Sequence, residues 1–361
     1  MNEQLQNGLK LQGITELTPI QKEGIPPILE GKDVVLESCT GSGKTLAFLL
    51  PIMEQINFSI KQCQSLIIAP THELVIQINE QVKLLAKNSE LPITSASCIG
   101  GANINKQIET LKKVKPHIIV ASTGRALELI KAKKLPAHTI KYFVIDEADY
   151  LLKNDSRDEV LQIIKSLQKQ TQFILCTATS TPALKQDANE ILKSPIFLNT
   201  SEQLPVNPNI THFAYITEKR KKFDTLKSLL NKENPTRAIV FINNTHELNV
   251  ITEKLKHDNF SVASLASNQN KQERSTSLAQ FRSGKVKILV SSDVSARGLD
   301  ITEITHIFNL DLPPHSPHYL HRAGRTARGT NTGKAISIIT SGEQKILKEY
   351  EKNLGINFTI E

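Results

Sequence analysis

The 361-residue sequence has no tryptophan, only four cysteines and no long apolar run. A membrane-spanning helix needs roughly 18 or more consecutive apolar residues, and no stretch of the chain provides them. The cysteines are scattered, without the paired spacing of a zinc site or of a disulfide framework. The first residues also lack the basic start and the apolar centre of a secretory signal. These absences predict a cytoplasmic protein with reduced thiols and no membrane segment.

Aromatic residues make up only 5% of the chain, so its cores should be mainly aliphatic, as they are in parallel α/β sheets. Short runs rich in β-branched residues alternate with stretches of helical pattern, which is typical of a parallel sheet wrapped by helices. These runs predict strands at 34–36, 66–69, 118–121, 143–145 and 173–176, and then at 238–242, 286–290, 307–310 and 335–339.

The two series of strands are separated by a polar segment, residues 201–209, that contains Pro205 and Pro208. Prolines among polar residues are typical of a linker, and the chain is long enough for two domains. We therefore predict a first domain at 1–203, a linker at 204–209 and a second domain at 210–361. Each is expected to be a doubly wound parallel sheet that binds ligands at the carboxyl ends of its strands.

The net charge of +8 is concentrated in the second part of the chain. Residues 206–361 contain 22 Lys and Arg against 15 Asp and Glu, which gives +7, whereas residues 1–205 contain 22 against 21, which gives +1. A basic surplus of this kind favours a polyanionic partner, although many proteins without one have a similar surplus.

A glycine-rich turn, Gly41-Ser42-Gly43-Lys44-Thr45, follows the predicted strand at 34–36 and precedes a helical pattern. Backbone N–H groups of such a turn bind phosphates at the start of a helix. The Lys44 ammonium can then reach the terminal phosphates of a nucleotide, and the Thr45 hydroxyl can bind Mg²⁺.

An acidic segment, Asp146-Glu147-Ala148-Asp149, directly follows the apolar run 142–145. A carboxylate at the end of a buried strand, here Asp146, is where a second contact to the metal is expected. Glu147 is then positioned to orient or deprotonate the attacking water. The glycine-rich turn and the acidic segment, in this order, predict hydrolysis of a nucleoside triphosphate.

Further polar clusters follow other predicted strands: Pro70-Thr71-His72-Glu73-Leu74, Gly100-Gly101, Ser122-Thr123-Gly124-Arg125, Thr177-Ala178-Thr179, residues 292–300 and residues 319–329. Together with Leu17-Thr18-Pro19-Ile20-Gln21, the whole series resembles the DEAD-box ATP-dependent RNA helicases of helicase superfamily 2. The resemblance extends from about residue 8 to about residue 345 with order and spacing intact. It implies two tandem RecA-like domains joined by a short linker.

The resemblance assigns roles to the residues that would bind ATP and Mg²⁺. Gln21 is similar to the residue that recognises adenine, and Gly298 and Asp300 to residues near the ribose. Thr177 and Thr179 lie where the family links hydrolysis to strand separation, and His321 lies where it couples the two domains. The implied nucleotide-binding residues are Gln21, Thr40, Gly41, Ser42, Gly43, Lys44, Thr45, Gly298 and Asp300, with Thr45 and Asp146 as metal ligands.

Arg322, Arg325 and Arg328 recur at a spacing of three and are expected to share one face of a helix. Alone, such a pattern favours a solvated basic helix. By similarity to the family, Arg325 and Arg328 are instead arginine fingers that neutralise charge on the terminal phosphate.

The resemblance also implies a set of RNA contacts: Pro70, Thr71, Gly101, Thr123, Gly124, Arg125, Asn243, Asn244, Arg274, Ser292, Asp293 and Arg297. Glycine-rich turns and helix starts bind phosphates, which position a strand without reading its sequence. Because no interleaved aromatic residues are present to stack bases, RNA recognition should be tolerant of sequence.

The chain departs from the family pattern at several positions. No aromatic residue precedes Phe48 to stack on adenine, so either weak adenine affinity or relaxed nucleotide selectivity is expected. A titratable histidine, His72, replaces an arginine beside the RNA strand. The other departures are Ile14 for Phe, Ser38 for a smaller residue, Thr123 for Pro, Thr177 for Ser, Lys271 for Gln and Ala266-Ser267 for His-Gly.

The sequence therefore predicts a monomeric, RNA-stimulated ATPase that locally unwinds or remodels short RNA duplexes. It would act either generally or under the direction of a partner protein that supplies specificity. Two alternatives remain open at this point. One is an ATP-gated RNA clamp with little turnover, and the other is a DNA-directed translocase of the same superfamily.

Overall fold

The computed structural model describes residues 2–38, 42–153, 155–177, 181–200, 207–266, 269, 271–293, 303–313, 315–327 and 331–361. The chain divides into two compact units, Met1–Gln203 and Leu204–Glu361. No helix in the described ranges is both long and apolar enough to cross a membrane.

The first unit is a seven-stranded sheet with helices packed on both faces. Its strands are β1 (Val34–Glu37), β2 (Ser65–Ala69), β3 (Ser95–Cys98), β4 (Ile118–Ser122), β5 (Tyr142–Ile145), β6 (Gln172–Thr177) and β7 (Ile196–Asn199). Its helices are α1 (Glu3–Lys10), α2 (Pro19–Leu29), α3 (Lys44–Gln55), α4 (His72–Asn88), α5 (Ile104–Val114), α6 (Thr123–Lys131), α7 (Ala148–Leu151), α8 (Asp155–Ser166) and α9 (Pro182–Ile191).

All strand pairs in this sheet are parallel, in the order β3-β4-β2-β5-β6-β1-β7. The central strands β2 and β5 are completely buried, because one aliphatic core lies on each face of the sheet. Parallel strands have their carboxyl ends on one edge, so the residues that follow β1, β2, β4, β5 and β6 meet there.

The second unit repeats this architecture. Its strands are β8 (Ile210–Ile216), β9 (Ala238–Phe241), β10 (Val262–Leu265), β11 (Ile288–Ser291), β12 (His306–Asn309), β13 (Gly333–Ile339) and β14 (Thr359–Ile360). Its helices are α10 (Lys222–Glu233), α11 (Thr245–His257), α12 (Lys271–Arg282), α13 (Ser316–Ala323) and α14 (Gln344–Leu354).

The strand order in the second sheet is β10-β11-β9-β12-β13-β8-β14, again with every pair parallel. Strands β8 to β14 therefore occupy the same positions in the second sheet, in the same order, as β1 to β7 in the first. The sequence prediction of two doubly wound parallel sheets with aliphatic cores is therefore confirmed.

Five of the observed strands were not predicted, and each lacks the apolar pattern of a buried strand. β3 is Ser-Ala-Ser-Cys, β7 is a largely exposed edge strand, and β14 has two residues. β8 alternates between buried and exposed positions, and β10 contains a serine. Helix α1 was also not predicted, although Leu5 and Leu9 anchor it in the core.

Candidate nucleotide and RNA site

The start of α3 has the backbone of a phosphate-binding turn. Gly43, immediately before the helix, has a φ of 91°, a conformation that favours glycine. The Lys44 ammonium donates a hydrogen bond to the carbonyl of Ser38, which closes the turn. The Ser42 hydroxyl is buried and has no hydrogen-bond partner among the described residues. A buried polar atom of this kind needs an acceptor or donor, and a phosphate oxygen of a bound ligand would supply one.

Gln21 connects helix α2 to this turn. Its Oε1 accepts from the backbone N–H of Thr18 at 2.9 Å, and its Nε2 donates to the carbonyl of Gly43 at 3.0 Å. The side chain is 2% exposed. The glutamine predicted to recognise adenine thus also holds the residue that precedes Lys44.

The acidic segment lies at the end of β5, close to Lys44. Burial and the neighbouring Glu147 carboxylate raise the pKa of Asp146 to about 7, while Lys44 lowers it. Asp146 Oδ1 accepts from the backbone N–H of Glu147 at 3.0 Å, and Glu147 has a φ of 52°. Left-handed backbone is unusual for glutamate, and such strain is concentrated at functional sites. A divalent cation would compensate the buried charge of Asp146, so the donor set fits a metal ion.

Between these two segments runs β6, which ends at the completely buried Thr177. The backbone N–H of Ser38 donates to the Thr177 carbonyl at 3.1 Å, so the predicted coupling residue adjoins the phosphate turn. Thr45 is half-buried at the second position of α3. The predicted residues Thr40, Gly41 and Thr179 lie outside the described residues, as do Arg297, Gly298, Asp300 and Arg328.

In the first unit, the residues expected to bind RNA lie together beyond β2, β3 and β4. Thr71 caps α4 by accepting from the N–H of Leu74 at 3.2 Å. Gly101 is exposed and has a φ of 67°, and a Cβ built on it would have no atom within 4 Å. Pro70 is half-buried at the end of β2. Together they form an edge with accessible backbone groups.

Arg125 is buried, which the sequence did not indicate. It is 7% exposed, donates through Nη2 to the carbonyl of Ala102 at 3.0 Å and pairs through Nε with Glu128 at 2.9 Å. The backbone N–H of Gly100 donates to the Ser122 hydroxyl at 3.1 Å. Arg125 therefore fixes the loop that contains Gly100 and Gly101.

At the start of α6, Thr123 is 6% exposed, and its hydroxyl has no hydrogen-bond partner among the described residues. A Cβ built on the adjacent Gly124 would lie 3.3 Å from a carboxylate oxygen of Glu159. A side chain at position 124 would therefore require the Glu159 carboxylate to shift slightly.

In the second unit, Asn243 and Asn244 lie beyond β9, and Ser292 and Asp293 lie beyond β11. Asn244 is exposed and caps α11 by accepting from the N–H of His246 at 3.0 Å. Arg274 is half-exposed on α12, and Ser292 is 4% exposed. The side chains of Asn243 and Asp293 both bond to Arg322.

The prediction that the arginines of this motif share one face of a helix is wrong for Arg322 and Arg325. Helix α13 ends at Ala323, so it carries Arg322 but not Arg325, which lies in the following turn. Arg322 is 1% exposed, so the solvated alternative is also wrong for this residue. Arg325 is 6% exposed, and its backbone N–H donates to the Arg322 carbonyl at 3.1 Å. Gly324 ends the helix, and no feature of the spacing distinguishes a buried arginine from an exposed one.

Lys222 begins α10 after β8, the place in the second sheet that Lys44 has in the first. Its ammonium donates to the Leu310 carbonyl at 3.1 Å and lies 3.1 Å from a carboxylate oxygen of Glu343. Burial raises the pKa of Glu343, but hydrogen bonds from Thr340 and the Lys222 charge lower it more, so the net shift is downward. An internal carboxylate thus neutralises this lysine.

No cluster of three or more His, Cys, Asp or Glu side chains suited to a metal ion occurs in the described part of the chain. Cys63, Cys98 and Cys176 are buried free thiols, and Cys39 lies outside the described residues. Burial raises the pKa of Cys63 and of Cys98 to about 12. These thiols are therefore protonated and unreactive at neutral pH.

Comparison with known families gives two matches along the chain. The model for the DEAD/DEAH box helicase matches residues 18–186, and the model for the helicase conserved C-terminal domain matches residues 221–330. The first match contains the phosphate turn and the acidic segment, and the second contains the loops beyond β9 and β11.

Individual relatives extend over almost the whole sequence. The DEAD-box ATP-dependent RNA helicase CshC of Bacillus cereus is 41% identical over 355 residues, which are 98% of this chain and 90% of the relative. The probable ATP-dependent RNA helicase YfmL of Bacillus subtilis is 37% identical over 98% of this chain and 93% of its own length.

A solved structure of S. cerevisiae Dbp5, bound to RNA and ADP BeF3, is similar with a TM-score of 0.89 and 29% identity. The similarity covers 100% of this chain and 94% of the Dbp5 chain. With these matches in fold and sequence, the chain belongs to the family of DEAD-box ATP-dependent RNA helicases.

Proposed function

We propose that this protein hydrolyses ATP when it binds RNA and uses the reaction to separate or remodel short RNA duplexes. The observation that carries the proposal is the proximity of Lys44, Asp146 and Glu147 at one edge of the first sheet, where the Lys44 charge acts on the buried Asp146 carboxylate. Membership of the helicase family supports the same activity.

The chemistry of the residues fits ATP and Mg²⁺. The unpartnered Ser42 hydroxyl and the N-terminal N–H groups of α3 suit phosphate oxygens, and Lys44 supplies a positive charge beside them. Thr45 and Asp146 would hold the metal ion, which when bound neutralises charge on the phosphates. Gln21 would contact adenine through its remaining hydrogen-bonding capacity. Thr40, Gly41, Gly298 and Asp300 complete the proposed nucleotide set.

Glu147 would orient the attacking water and accept its proton. Its backbone is held by the Asp146 side chain, so the base and the metal ligand are positioned by one contact. Arg325 and Arg328 would neutralise charge that develops on the terminal phosphate, and His321 with Thr177 and Thr179 would couple hydrolysis to strand separation.

RNA would bind mainly through its phosphates. In the first unit we assign contacts to the exposed backbone at Pro70, Thr71 and Gly101 and to the start of α6, with Arg125 acting by fixing the loop at Gly100 and Gly101. In the second unit we assign them to the loops at Asn244 and Ser292, to Arg274 and to Arg297. Such contacts position a strand without reading its bases, so a partner protein would supply specificity to this monomeric, cytoplasmic enzyme.

The test is steady-state release of phosphate from ATP, with and without a single-stranded RNA of mixed sequence, together with unwinding of a short RNA duplex. Strong stimulation by RNA and ATP-dependent unwinding are expected. A DNA strand of the same sequence should stimulate much less. RNA binding that depends on ATP but produces no phosphate would contradict the proposal and leave a clamp, and equal stimulation by DNA would indicate a DNA translocase.

A further inference from the structure

Arg322 is the largest of the fully buried side chains in the described part of the second unit, and it is 1% exposed. Arginine is almost never buried to this degree without compensating partners. Its position near the end of α13 brings the guanidinium beneath the carboxyl edge of the second sheet, where the loops assigned to RNA begin.

The guanidinium uses all five of its N–H donors. Nε and Nη2 donate to the two carboxylate oxygens of Asp293, at 2.6 and 2.9 Å. Nη2 also donates to Asn243 Oδ1 at 2.6 Å. Nη1 donates to Asn309 Oδ1 at 3.2 Å and to the Asp311 carbonyl at 2.6 Å. No donor is left for RNA or for nucleotide.

The acceptors follow or end three adjacent strands of the sheet. Asp293 follows β11, Asn243 follows β9, and Asn309 ends β12, and these strands are neighbours in the order β11-β9-β12. The guanidinium also lies over the ring of Phe241, with its central carbon 5.0 Å from the ring centroid. One side chain therefore fixes the ends of three strands relative to one another.

Two of these acceptors, Asn243 and Asp293, were predicted from the resemblance to contact RNA, but their side-chain oxygens already accept hydrogen bonds from Arg322. Besides accepting from Arg322, Asn243 donates through Nδ2 to the Leu312 carbonyl at 2.7 Å and through its backbone N–H to Asp311 Oδ2 at 3.0 Å. Both carboxylate oxygens of Asp293 accept from Arg322. These contacts hold the shape of the loops assigned to RNA, in which the neighbouring Asn244 is exposed and Ser292 is 4% exposed.

The backbone of Arg322 extends the connection to the proposed arginine finger. Its carbonyl accepts from the N–H of Arg325 at 3.1 Å, just after the helix ends. The residue that holds the loops beyond β9 and β11 through its side chain thus also contacts the segment that carries Arg325 through its backbone.

We propose that Arg322 is a positioning residue that holds the loops beyond β9 and β11 in register with Arg325, so that RNA binding is linked to hydrolysis. The inference rests on the proposed function, because it uses the roles assigned there to RNA and to Arg325. The planar guanidinium group supplies the five N–H donors that these five bonds need. A lysine at this position would keep the positive charge but could not make the same set of bonds.

The test is Arg322→Lys in the full-length protein, beside Arg282→Lys as a matched control at an exposed position of the same unit. We expect Arg322→Lys to raise the RNA concentration for half-maximal stimulation at least tenfold and to lower kcat at saturating RNA at least tenfold. The KM for ATP should change less than twofold, because the nucleotide-binding residues that the structure describes lie in the first unit. Arg282→Lys should match the wild type.

Arg325→Ala separates positioning from direct contact with nucleotide. It should lower kcat while leaving the half-saturating RNA concentration within twofold of the wild type. If Arg322→Lys gives this same pattern, or gives no change at all, the proposal is wrong. Should Arg322→Lys fail to fold, Asn309→Ala removes one acceptor outside the RNA and nucleotide sets, and at least a threefold rise in the half-saturating RNA concentration is expected.

Amide hydrogen exchange without RNA and ATP tests the positioning role independently of activity. Arg322→Lys should increase exchange at residues 243–244, 292–293 and 310–312 and leave exchange in the first unit unchanged. An increase confined to α13 would overturn the inference. If the wild type lacks RNA-stimulated hydrolysis, the proposed function fails, while the exchange measurement still decides whether Arg322 holds these loops.

Discussion

The side-chain amide of Gln21 donates a hydrogen bond to the carbonyl of Gly43 at 3.0 Å, although 22 residues separate them. The partner is the residue immediately before Lys44, in left-handed backbone. A Cβ at Gly43 would lie 2.3 Å from Gln21 Nε2, so the amide fits against this glycine without spare room. The shape of the phosphate turn therefore depends on a residue outside it.

We predict that Gln21→Ala raises the KM for ATP by about 10-fold or more, because a truncated buried hydrogen-bonding group costs about 1–3 kcal/mol. Without the bond to the Gly43 carbonyl, the adjacent Lys44 would no longer be held in position for the phosphates, even if adenine binds normally. The measurement is the KM for ATP and for GTP at saturating RNA, with Gln186→Ala on the exposed face of α9 as the control. An increase in the KM for ATP without an increase in the KM for GTP would indicate that Gln21 acts only by contacting the adenine base.

Glu147→Gln should lower RNA-stimulated phosphate release by ~10²-fold or more, the usual contribution of a general base. Glutamine has nearly the same size as glutamate and should keep the left-handed backbone at this position, but its amide cannot accept the proton. Binding of a fluorescent RNA in the presence of ATP should persist, so the variant becomes a clamp. Glu109→Gln, an exposed change on α5, should behave as the wild type. Turnover retained in Glu147→Gln would assign the base elsewhere.

Asp146→Asn should stabilise the nucleotide-free protein while abolishing ATP hydrolysis. Burial and Glu147 raise the pKa of Asp146 to about 7, so the folded state holds a proton that the unfolded state releases near pH 4. Stability is therefore lost as the pH rises from about 4 to about 7, and the deficit stays constant above that range.

The gain from Asp146→Asn should accordingly be about 4 kcal/mol in unfolding free energy at pH 8, given about 1.4 kcal/mol per pKa unit. It should shrink steadily as the pH falls from 7 toward 4. Urea unfolding at several pH values measures it, with the exposed Asp158→Asn as the control. A gain that does not vary with pH would mean that the charge of Asp146 is not its source.

His212 should make the second unit sensitive to acid. Burial lowers its pKa to about 4, and its Nδ1 lies 2.7 Å from the Tyr319 hydroxyl. The unfolded chain takes up a proton near pH 6.5 and the folded chain only near pH 4, so stability present above 6.5 is lost as the pH falls. The loss should total about 3 kcal/mol.

Comparison of the pH dependence of unfolding in the wild type and in His212→Asn isolates this contribution. The slope between pH 6.5 and pH 4 should be smaller in the variant, and the exposed His246→Asn should not change it. Parallel slopes in the wild type and His212→Asn would show that His212 is protonated in the folded state.

The fold and the location of the site were largely predictable because both follow from local patterns. Buried parallel strands are continuous apolar runs, and the polar motifs come directly after them, so chain order alone locates the motifs at one edge. Strands such as β3 and β7 gave no such signal, since polar or edge positions do not need apolar side chains.

The side-chain partners could not be predicted in the same way. Arg322 bonds to Asn243 across 79 residues and to Asp293 across 29, and no spacing rule connects these positions. Arg125 looked like a residue that reaches RNA, yet it faces the Ala102 carbonyl. Whether a charged residue in a motif is exposed or buried depends on the three-dimensional neighbours of its loop.

The ion pair of Lys222 and Glu343 bears on the number of nucleotides that one chain is expected to bind. Two sheets with the same strand order and a lysine at the same helix start are what duplication of one ancestral domain would produce. In the second unit, the cavity beside Lys222 is also lined by Lys219 and by the carboxylates of Glu247, Asp311 and Glu343, so its lining carries one more negative than positive charge. The lysine that begins α10 is thus paired with one of the protein's own carboxylates, and we expect each chain to bind one ATP, in the first unit.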